Sequence, residues 1–166
     1  MIRRLHHNAY RCRDSEETRR FYEGFLGLRL AGTLEIKETK SGRKTATLHT
    51  FYQLGDGSYL AFFEAPDMPF EFKHQHDYDL HIALEVDAAT LKDMLAKGRA
   101  AGIETRGVSD HGFIHSIYFR DPNGYVIELT AKTPQHDRAM DPALNGARDK
   151  LDRWTAARQR RAASVT

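Results

Sequence analysis

The sequence predicts an α+β fold built from two tandem βαβββ modules, followed by a C-terminal helix. Three observations support this prediction. The order of the predicted elements repeats, each half opens with a histidine-bearing strand and an aspartate at a helix start, and each half closes on a glycine-turn hairpin. A chance succession of ordinary α+β elements is the alternative to an internal duplication. The landmarks are His7, Asp14 and Gly57 in the first half and His81, Asp87 and Gly124 in the second.

The first module spans about residues 4–65 and begins with a strand from Leu5 to Cys12. A helix is predicted from Ser15 to Leu26, because Asp14 and Glu17 have the spacing of a capping box and apolar side chains recur on one face. Gly27 is suited to the left-handed position that ends a helix. Three strands of a meander follow, at 28–38, 45–54 and 59–64, separated by turns at 40–43 and 55–57.

The second module spans about residues 79–132 and follows a polar loop at 66–78. Asp87 is expected to cap a helix that ends near Gly102, with Leu91, Met94 and Leu95 on one face. The sequence Asp-Pro-Asn-Gly at 121–124 is typical of a turn. The predicted strands of this module are 80–86, 103–107, 115–120 and 125–131.

Residues 134–166 differ in composition and form the third predicted part of the chain. They are rich in alanine and arginine, and Leu144, Ala147, Leu151 and Trp154 recur at about helical spacing. We therefore expect a basic amphipathic helix that packs on the domain or on a partner subunit. A solvated helix face explains its arginines better than nucleic-acid binding, since no accompanying motif indicates DNA or RNA.

The composition excludes several functional classes. The 166 residues suffice for about one domain, and the hydrophobic and charged fractions of 40% and 29% are those of globular proteins. A net charge of +2 is too small to indicate a nucleic-acid partner, and no apolar run approaches the roughly 20 residues that span a bilayer. The N-terminus lacks the apolar region of a secretory signal, and the single cysteine, Cys12, fits a reducing compartment. We therefore expect a cytoplasmic location.

Nine histidines are unusual for this length, and strand alternation suggests what two of them do. In the strand at 80–86 the apolar residues share one face, so His81 projects from the other. The same alternation in the last strand turns Glu128 away from the apolar face. His7 precedes Ala9 in the first strand as His81 precedes Ala83 in the fifth. If the two halves pair about a pseudo-twofold axis, then His7, His81 and Glu128 meet in one cleft.

Two imidazoles and a carboxylate form a facial triad that suits Fe²⁺, Mn²⁺ or Zn²⁺. Such a triad leaves coordination positions open for a substrate and for water or dioxygen. Taken singly, a strand histidine is more often structural, and a glutamate after a turn is more often exposed. The agreement of three residues in register across a duplicated module favours a metal site.

Four segments resemble the vicinal oxygen chelate superfamily, which includes glyoxalases, bleomycin-resistance proteins, fosfomycin-resistance enzymes and extradiol dioxygenases. The resemblance covers about residues 4–132 and leaves the tail unexplained. It implies one curved-sheet domain around a metal cleft, the same three ligands, a small-molecule substrate and frequent homodimers. The segments are 7–14 (HNAYRCRD), 21–28 (FYEGFLGL), 81–87 (HIALEVD) and 121–129 (DPNGYVIEL).

The same resemblance suggests three catalytic candidates. Tyr118 lies ten residues before Glu128, a spacing similar to that of an active-site tyrosine in extradiol dioxygenases. His111 lies where hydroquinone-cleaving relatives carry a basic residue, and His6 directly precedes the first ligand as a histidine does in those relatives. Each could act as an acid, a base or an orienting group. Packed-aromatic and surface-histidine roles are the alternatives, and alternation places His6 opposite His7.

The spacing argues against a fourth protein ligand. Glu128 lies four residues after Gly124, whereas Ala61 lies four residues after Gly57. Glu64 is three residues further on, so alternation turns it to the opposite face unless the strand shifts. Three ligands depart from the two-histidine, two-glutamate pattern of glyoxalase I.

The sequence therefore favours a ferrous extradiol-type dioxygenase acting on a substrate chelated through vicinal oxygens. The alternatives are a non-redox lyase, isomerase or thiol transferase, and a bleomycin-resistance-like binding protein.

Overall fold

A computed structural model of the protein describes residues 1–163, so the last predicted tail residues, 164–166, lie outside the described part. The α+β class and the repeated order of elements are confirmed. The elements are β1 (Tyr10–Cys12), α1 (Ser15–Arg19) with a π-helical continuation (Arg20–Phe25), β2 (Arg29–Glu38), β3 (Lys44–Gln53), β4 (Tyr59–Glu64), β5 (Ile82–Glu85), α2 (Ala88–Ala100), β6 (Thr105–Asp110), β7 (Ile114–Arg120), β8 (Val126–Lys132), α3 (His136–Met140) and α4 (Ala147–Ala163).

The described chain forms two compact units. The first contains residues 1–82 together with 119–127, and the second contains residues 83–118 together with the described residues from Glu128 onward. These units and the two sequence modules divide the chain differently, because the turn between β7 and β8 groups with the first unit. The repeat boundaries therefore remain a sequence-based proposal.

The first sheet has the strand order β1-β4-β3-β2, with β1 parallel to β4 and the other pairs antiparallel. One face of this sheet packs on the first helix. The Tyr22 ring lies 4.6 Å from that of Phe62, and both side chains are fully buried. Cys12 lies in the same core, and burial raises the pKa of its thiol to about 11.

The strand β1 is shorter than the predicted strand from Leu5 to Cys12. A side chain accounts for the difference, since the Oδ1 of Asn8 accepts the backbone N–H of Ala61 at 2.9 Å. This bond replaces a ladder bond between backbones, and the pairing N-terminal to it is an isolated bridge between His7 and Tyr59. His7 therefore keeps the register of β1 although it lies outside the strand.

A network of hydrogen bonds in the turn between β7 and β8 holds the first unit together. The buried Asp121 accepts the Tyr22 hydroxyl at 2.9 Å and the backbone N–H of Tyr125 at 2.8 Å. Burial raises the pKa of the Asp121 carboxyl. Asn123 accepts the N–H of Arg13 at 2.9 Å and donates to the Thr18 hydroxyl at 3.2 Å. The predicted turn thus fixes the start of the first helix.

The second sheet has the order β5-β8-β7-β6, and α2 follows β5. The Asp87 side chain caps α2 by accepting the Thr90 N–H at 2.6 Å, as the sequence predicts. Leu91, Ile117 and Leu129 are buried. Alternation along β7 and β8 places Ser116, Tyr118 and Glu128 on the face opposite Ile117 and Leu129.

The tail forms the short helix α3 and the 17-residue helix α4, and neither has a buried residue. Leu151 and Trp154 are 56% and 64% exposed, so the apolar side chains of the helix lie open to solvent. Among residues 1–163, no helix combines the length and the apolar character needed to cross a membrane.

Candidate active site

His7 lies on the face of the first sheet that is opposite the helix. Its bridge to Tyr59 puts it in register with Ala61 and Phe63 of β4, whose Cα partners in β3 are Phe51 and His49. The His7 ring centroid lies 5.6 Å from that of Phe51 and 6.1 Å from that of His49. The first predicted ligand is therefore surrounded by aromatic rings on an exposed segment.

His6 lies closer to His7 than strict strand alternation predicts. The two Nδ1 atoms are 2.9 Å apart, and one ring donates while the other accepts. The expectation of opposite faces is wrong because residues 1–9 do not form a continuous strand, so the two side chains can turn toward each other. In the tautomer in which His7 donates this bond, its Nε2 carries the lone pair that a metal needs.

His49 is a further candidate, which the sequence analysis does not single out. It is only 5% exposed, and its ring stacks on Phe63 with centroids 3.6 Å apart. Its Nδ1 lies 2.9 Å from the carbonyl oxygen of Phe62. A carbonyl only accepts, so Nδ1 carries the proton and Nε2 has the lone pair. Burial lowers the pKa of the imidazole.

The position of His49 next to His7 depends on the pairing of β3 with β4 and of β4 with the His7 segment. Alternation along β3 already groups His49 with Phe51, which is the signal that the sequence contains. The register between strands that are far apart in the chain is needed to connect this pair to His7.

His81 lies one residue before β5, and its Nδ1 donates to the carbonyl oxygen of Asp77 at 2.7 Å. This bond fixes the tautomer, so Nε2 is the nitrogen with the lone pair. A backbone carbonyl that orients an imidazole through its second nitrogen is a common support for metal-binding histidines. His81, Ala83 and Glu85 are exposed whereas Ile82 and Leu84 are partly buried, which matches the predicted alternation.

Glu128 lies in β8 and is 4% exposed. The Ser116 hydroxyl on the neighbouring strand donates a short hydrogen bond to its Oε1. A buried carboxylate is costly unless other groups compensate its charge, and a bound cation would provide that compensation. The hydroxyl also fixes the orientation of the carboxylate.

Tyr118 and His111 are brought together in the second unit. The Tyr118 hydroxyl lies 2.9 Å from the Nε2 of His111. The loop after β6 that carries His111 is closed by the Gly112 N–H, which donates to the Asp110 side chain at 2.7 Å. Two residues that the sequence analysis selected separately thus form one hydrogen-bonded pair on the Glu128 face of the sheet.

Glu64 points away from the His7 face, as alternation predicts. Its Oε2 accepts the backbone N–H of Ser15 at 2.7 Å at the start of α1, while Ala61 occupies the His7 face. Glu64 therefore acts as a helix-capping partner in this structure.

The chemistry of the predicted ligands fits a divalent metal. Two imidazoles, of which His81 has its lone pair fixed on Nε2, and one oriented, buried carboxylate are the donors that Fe²⁺, Mn²⁺ and Zn²⁺ accept. Within residues 1–163, no three or more histidine, cysteine, aspartate or glutamate side chains are grouped closely enough to hold a metal ion. The set of His7, His81 and Glu128 therefore remains a prediction.

Two four-stranded sheets in a repeated βαβββ order place the protein in the class of paired-module α+β folds. The family comparison is more specific. The chain belongs to the Glyoxalase/Bleomycin resistance protein/Dioxygenase superfamily, whose model matches residues 4–129. The resemblance stated from the sequence is confirmed. A comparison with curated proteins finds no significant match.

Solved structures support the fold. A glyoxylase/bleomycin resistance protein/dioxygenase domain from Frankia sp. EAN1pec aligns with a TM-score of 0.64 and 18% identity, covering 80% of this chain and all of that one. The fosfomycin resistance protein FosX from Listeria monocytogenes, complexed with Mn(II) and sulfate, aligns with 0.61 and 19%, covering 82% and 98%. A glyoxalase/dioxygenase from Nostoc punctiforme aligns with 0.60 and 22%, covering 79% and 92%.

Proposed function

We propose that this protein is a metal-dependent enzyme, a ferrous dioxygenase of the extradiol type, with His7, His81 and Glu128 as the metal ligands. The observation that carries the proposal is the hydrogen bond between Tyr118 and His111 on the face of the sheet that bears Glu128. A paired phenol and imidazole beside a metal ligand provide a donor and a proton relay for a bound hydroxylated substrate. The Mn(II) complex of FosX supports divalent metal binding.

His7, His81 and Glu128 would hold the metal, which would supply Lewis-acid and redox chemistry to a substrate with vicinal oxygens. The chain's own residues bind and orient the substrate. The Tyr118 hydroxyl donates its proton in a hydrogen bond to a substrate oxygen. Its own oxygen stays hydrogen-bonded to His111 Nε2. His49 is suited to accept a proton close to His7, because the Phe62 carbonyl holds its Nδ1–H and leaves the lone pair on Nε2. The rings of Phe51 and Phe63 exclude water from one side of His49.

Oxygen uptake tests the proposed reaction. We expect protein reconstituted with Fe²⁺ under anaerobic conditions to consume dioxygen when a catechol or hydroquinone from a phenolic panel is added. Tightly bound zinc in natively isolated protein, with no uptake on any member of the panel, would overturn the proposal. That outcome favours the non-redox lyase, isomerase or thiol transferase alternative, in which the metal acts as a Lewis acid. A protein without bound metal favours the binding-protein alternative.

We predict that His49→Gln lowers kcat by about 100-fold, since removing a positioned general base typically costs that much or more. Glutamine can still donate to the Phe62 carbonyl, so the strand pairing is expected to survive. His115→Gln is the matched control, because His115 is about half exposed and its Nε2 lies 3.5 Å from the Asp110 Oδ1. Steady-state kinetics with metal content measured on each variant provide the test. Wild-type kcat in His49→Gln at equal metal content would exclude the role.

We further propose a homodimer in the cytoplasm, acting on a small molecule and without nucleic-acid or membrane partners. The exposed Leu151 and Trp154 of α4 support association, because apolar side chains on a helix normally find a partner surface. The buried Cys12 thiol supports a reducing compartment.

A further inference from the structure

The edge strand β6 places an arginine over the tyrosine of the candidate site. The Cζ of Arg106 lies 5.2 Å from the centroid of the Tyr118 ring, a cation–π distance. Tyr118 shares its face of the sheet with Ser116 and Glu128. The guanidinium is therefore on the side of the sheet where the substrate is proposed to bind.

The Arg106 side chain is within reach of a ligand. Its side chain is 45% exposed, so solvent and solutes reach it. The carboxylate of Glu104, two residues earlier, lies 3.8 Å from Nε and is itself 49% exposed. An ion pair at that distance and exposure contributes little to stability and exchanges readily for another carboxylate. The contact with the Tyr118 ring places the guanidinium next to the tyrosine.

We propose that Arg106 binds a carboxylate group of the substrate, so that the preferred substrates are aromatic diols with an acidic substituent. This inference rests on the proposed function, in which Tyr118 contacts an oxygen of the diol. A guanidinium recognises a carboxylate through two parallel hydrogen bonds, a match that a neutral catechol cannot offer. Arg106 is thus a specificity-determining residue.

An alternative role for Arg106 is a charged residue that protects an edge strand from pairing with another chain. That role requires a charge but no particular ligand. Ligand selectivity, measured as a ratio of affinities, separates the two roles because edge protection does not change it.

The test compares the binding of catechol and protocatechuate, which is catechol with a ring carboxylate, to the metal-loaded protein by isothermal titration calorimetry without dioxygen. We expect the wild type to bind protocatechuate at least about tenfold more tightly, the effect of one charge-assisted pair. Arg106→Gln should remove the preference while catechol binding persists. Glu104→Gln should increase the preference by removing the competing carboxylate. Lys92→Gln, which removes one positive charge from the exposed face of α2, is the control and should leave the ratio unchanged.

The proposal is overturned if the wild type shows no preference for protocatechuate, binds neither compound, or keeps its ratio in Arg106→Gln. Circular dichroism confirms that each variant is folded. Because the readout is binding without dioxygen, selectivity that depends on Arg106 stands even if oxygen uptake fails. Uptake of dioxygen with an unchanged ratio in Arg106→Gln supports the proposed function and rejects this inference.

Discussion

Replacing Glu128 by glutamine is expected to weaken divalent metal binding by more than about 100-fold. Changes in residues that merely orient a ligand already cost about 10- to 100-fold, and loss of a charged ligand costs more. The substitution preserves shape, and the glutamine oxygen can still accept the Ser116 hydroxyl, so the buried site keeps its packing. Metal titration by calorimetry, with chelator competition for tight binding, measures the change.

Two further variants are references for the loss of metal affinity expected in Glu128→Gln. Glu85→Gln is the matched control, because Glu85 belongs to the same sheet, is 62% exposed and pairs with Lys132 at 2.9 Å. It should leave metal affinity unchanged. Ser116→Ala, which removes only the orienting hydroxyl, should reduce affinity by about tenfold. Full metal stoichiometry and affinity in Glu128→Gln would show that Glu128 is not a ligand.

Gly124→Ala is expected to destabilise the fold by about 3 kcal/mol, the largest stability effect that we predict. A Cβ at this position would lie 2.6 Å from the backbone N of Lys73, and the φ of +94° is strained for alanine. Relief requires moving the 66–78 loop away from Gly124, which breaks the bond from the Lys73 N–H to the Asn123 carbonyl at 2.8 Å. Urea unfolding followed by circular dichroism measures the loss.

Gly24→Ala provides a control of opposite sign for Gly124→Ala. Gly24 lies in the helical segment after α1, and nothing approaches its Cβ position within 4 Å. Alanine there should stabilise the fold by about 0.5–1 kcal/mol, since glycine loses more backbone entropy. A loss below about 1 kcal/mol in Gly124→Ala would mean that the 66–78 loop adapts without strain.

Local patterns predicted most of the elements and the facing of individual strands. The bounds of β4 agree with the prediction, Asp14 and Asp87 cap their helices, and Glu64 faces the helix. These features depend on residues close together in sequence, where alternation and capping chemistry act directly. The turn beginning at Asp121 was likewise evident from its sequence.

The features that the sequence did not reveal depend on contacts between distant segments. The first strand is short because the side chain of Asn8 bonds Ala61, which lies 53 positions away. His49 became a candidate only through the register that brings it near His7. The first helix was expected to be α-helical throughout, but its second half is a π-helix, in which the Leu26 N–H donates to the Phe21 carbonyl at 2.9 Å.

The position of Trp154 determines what fluorescence can report about this protein. It is the single tryptophan of the chain, it is 64% exposed on α4, and the Arg161 guanidinium lies 5.4 Å from its ring centroid. Its emission therefore follows the environment of the tail, and a blue shift with rising protein concentration would mark the association of two chains. The same emission changes little when the structure of the sheets changes, so Trp154 is a natural fluorescent label for the tail alone.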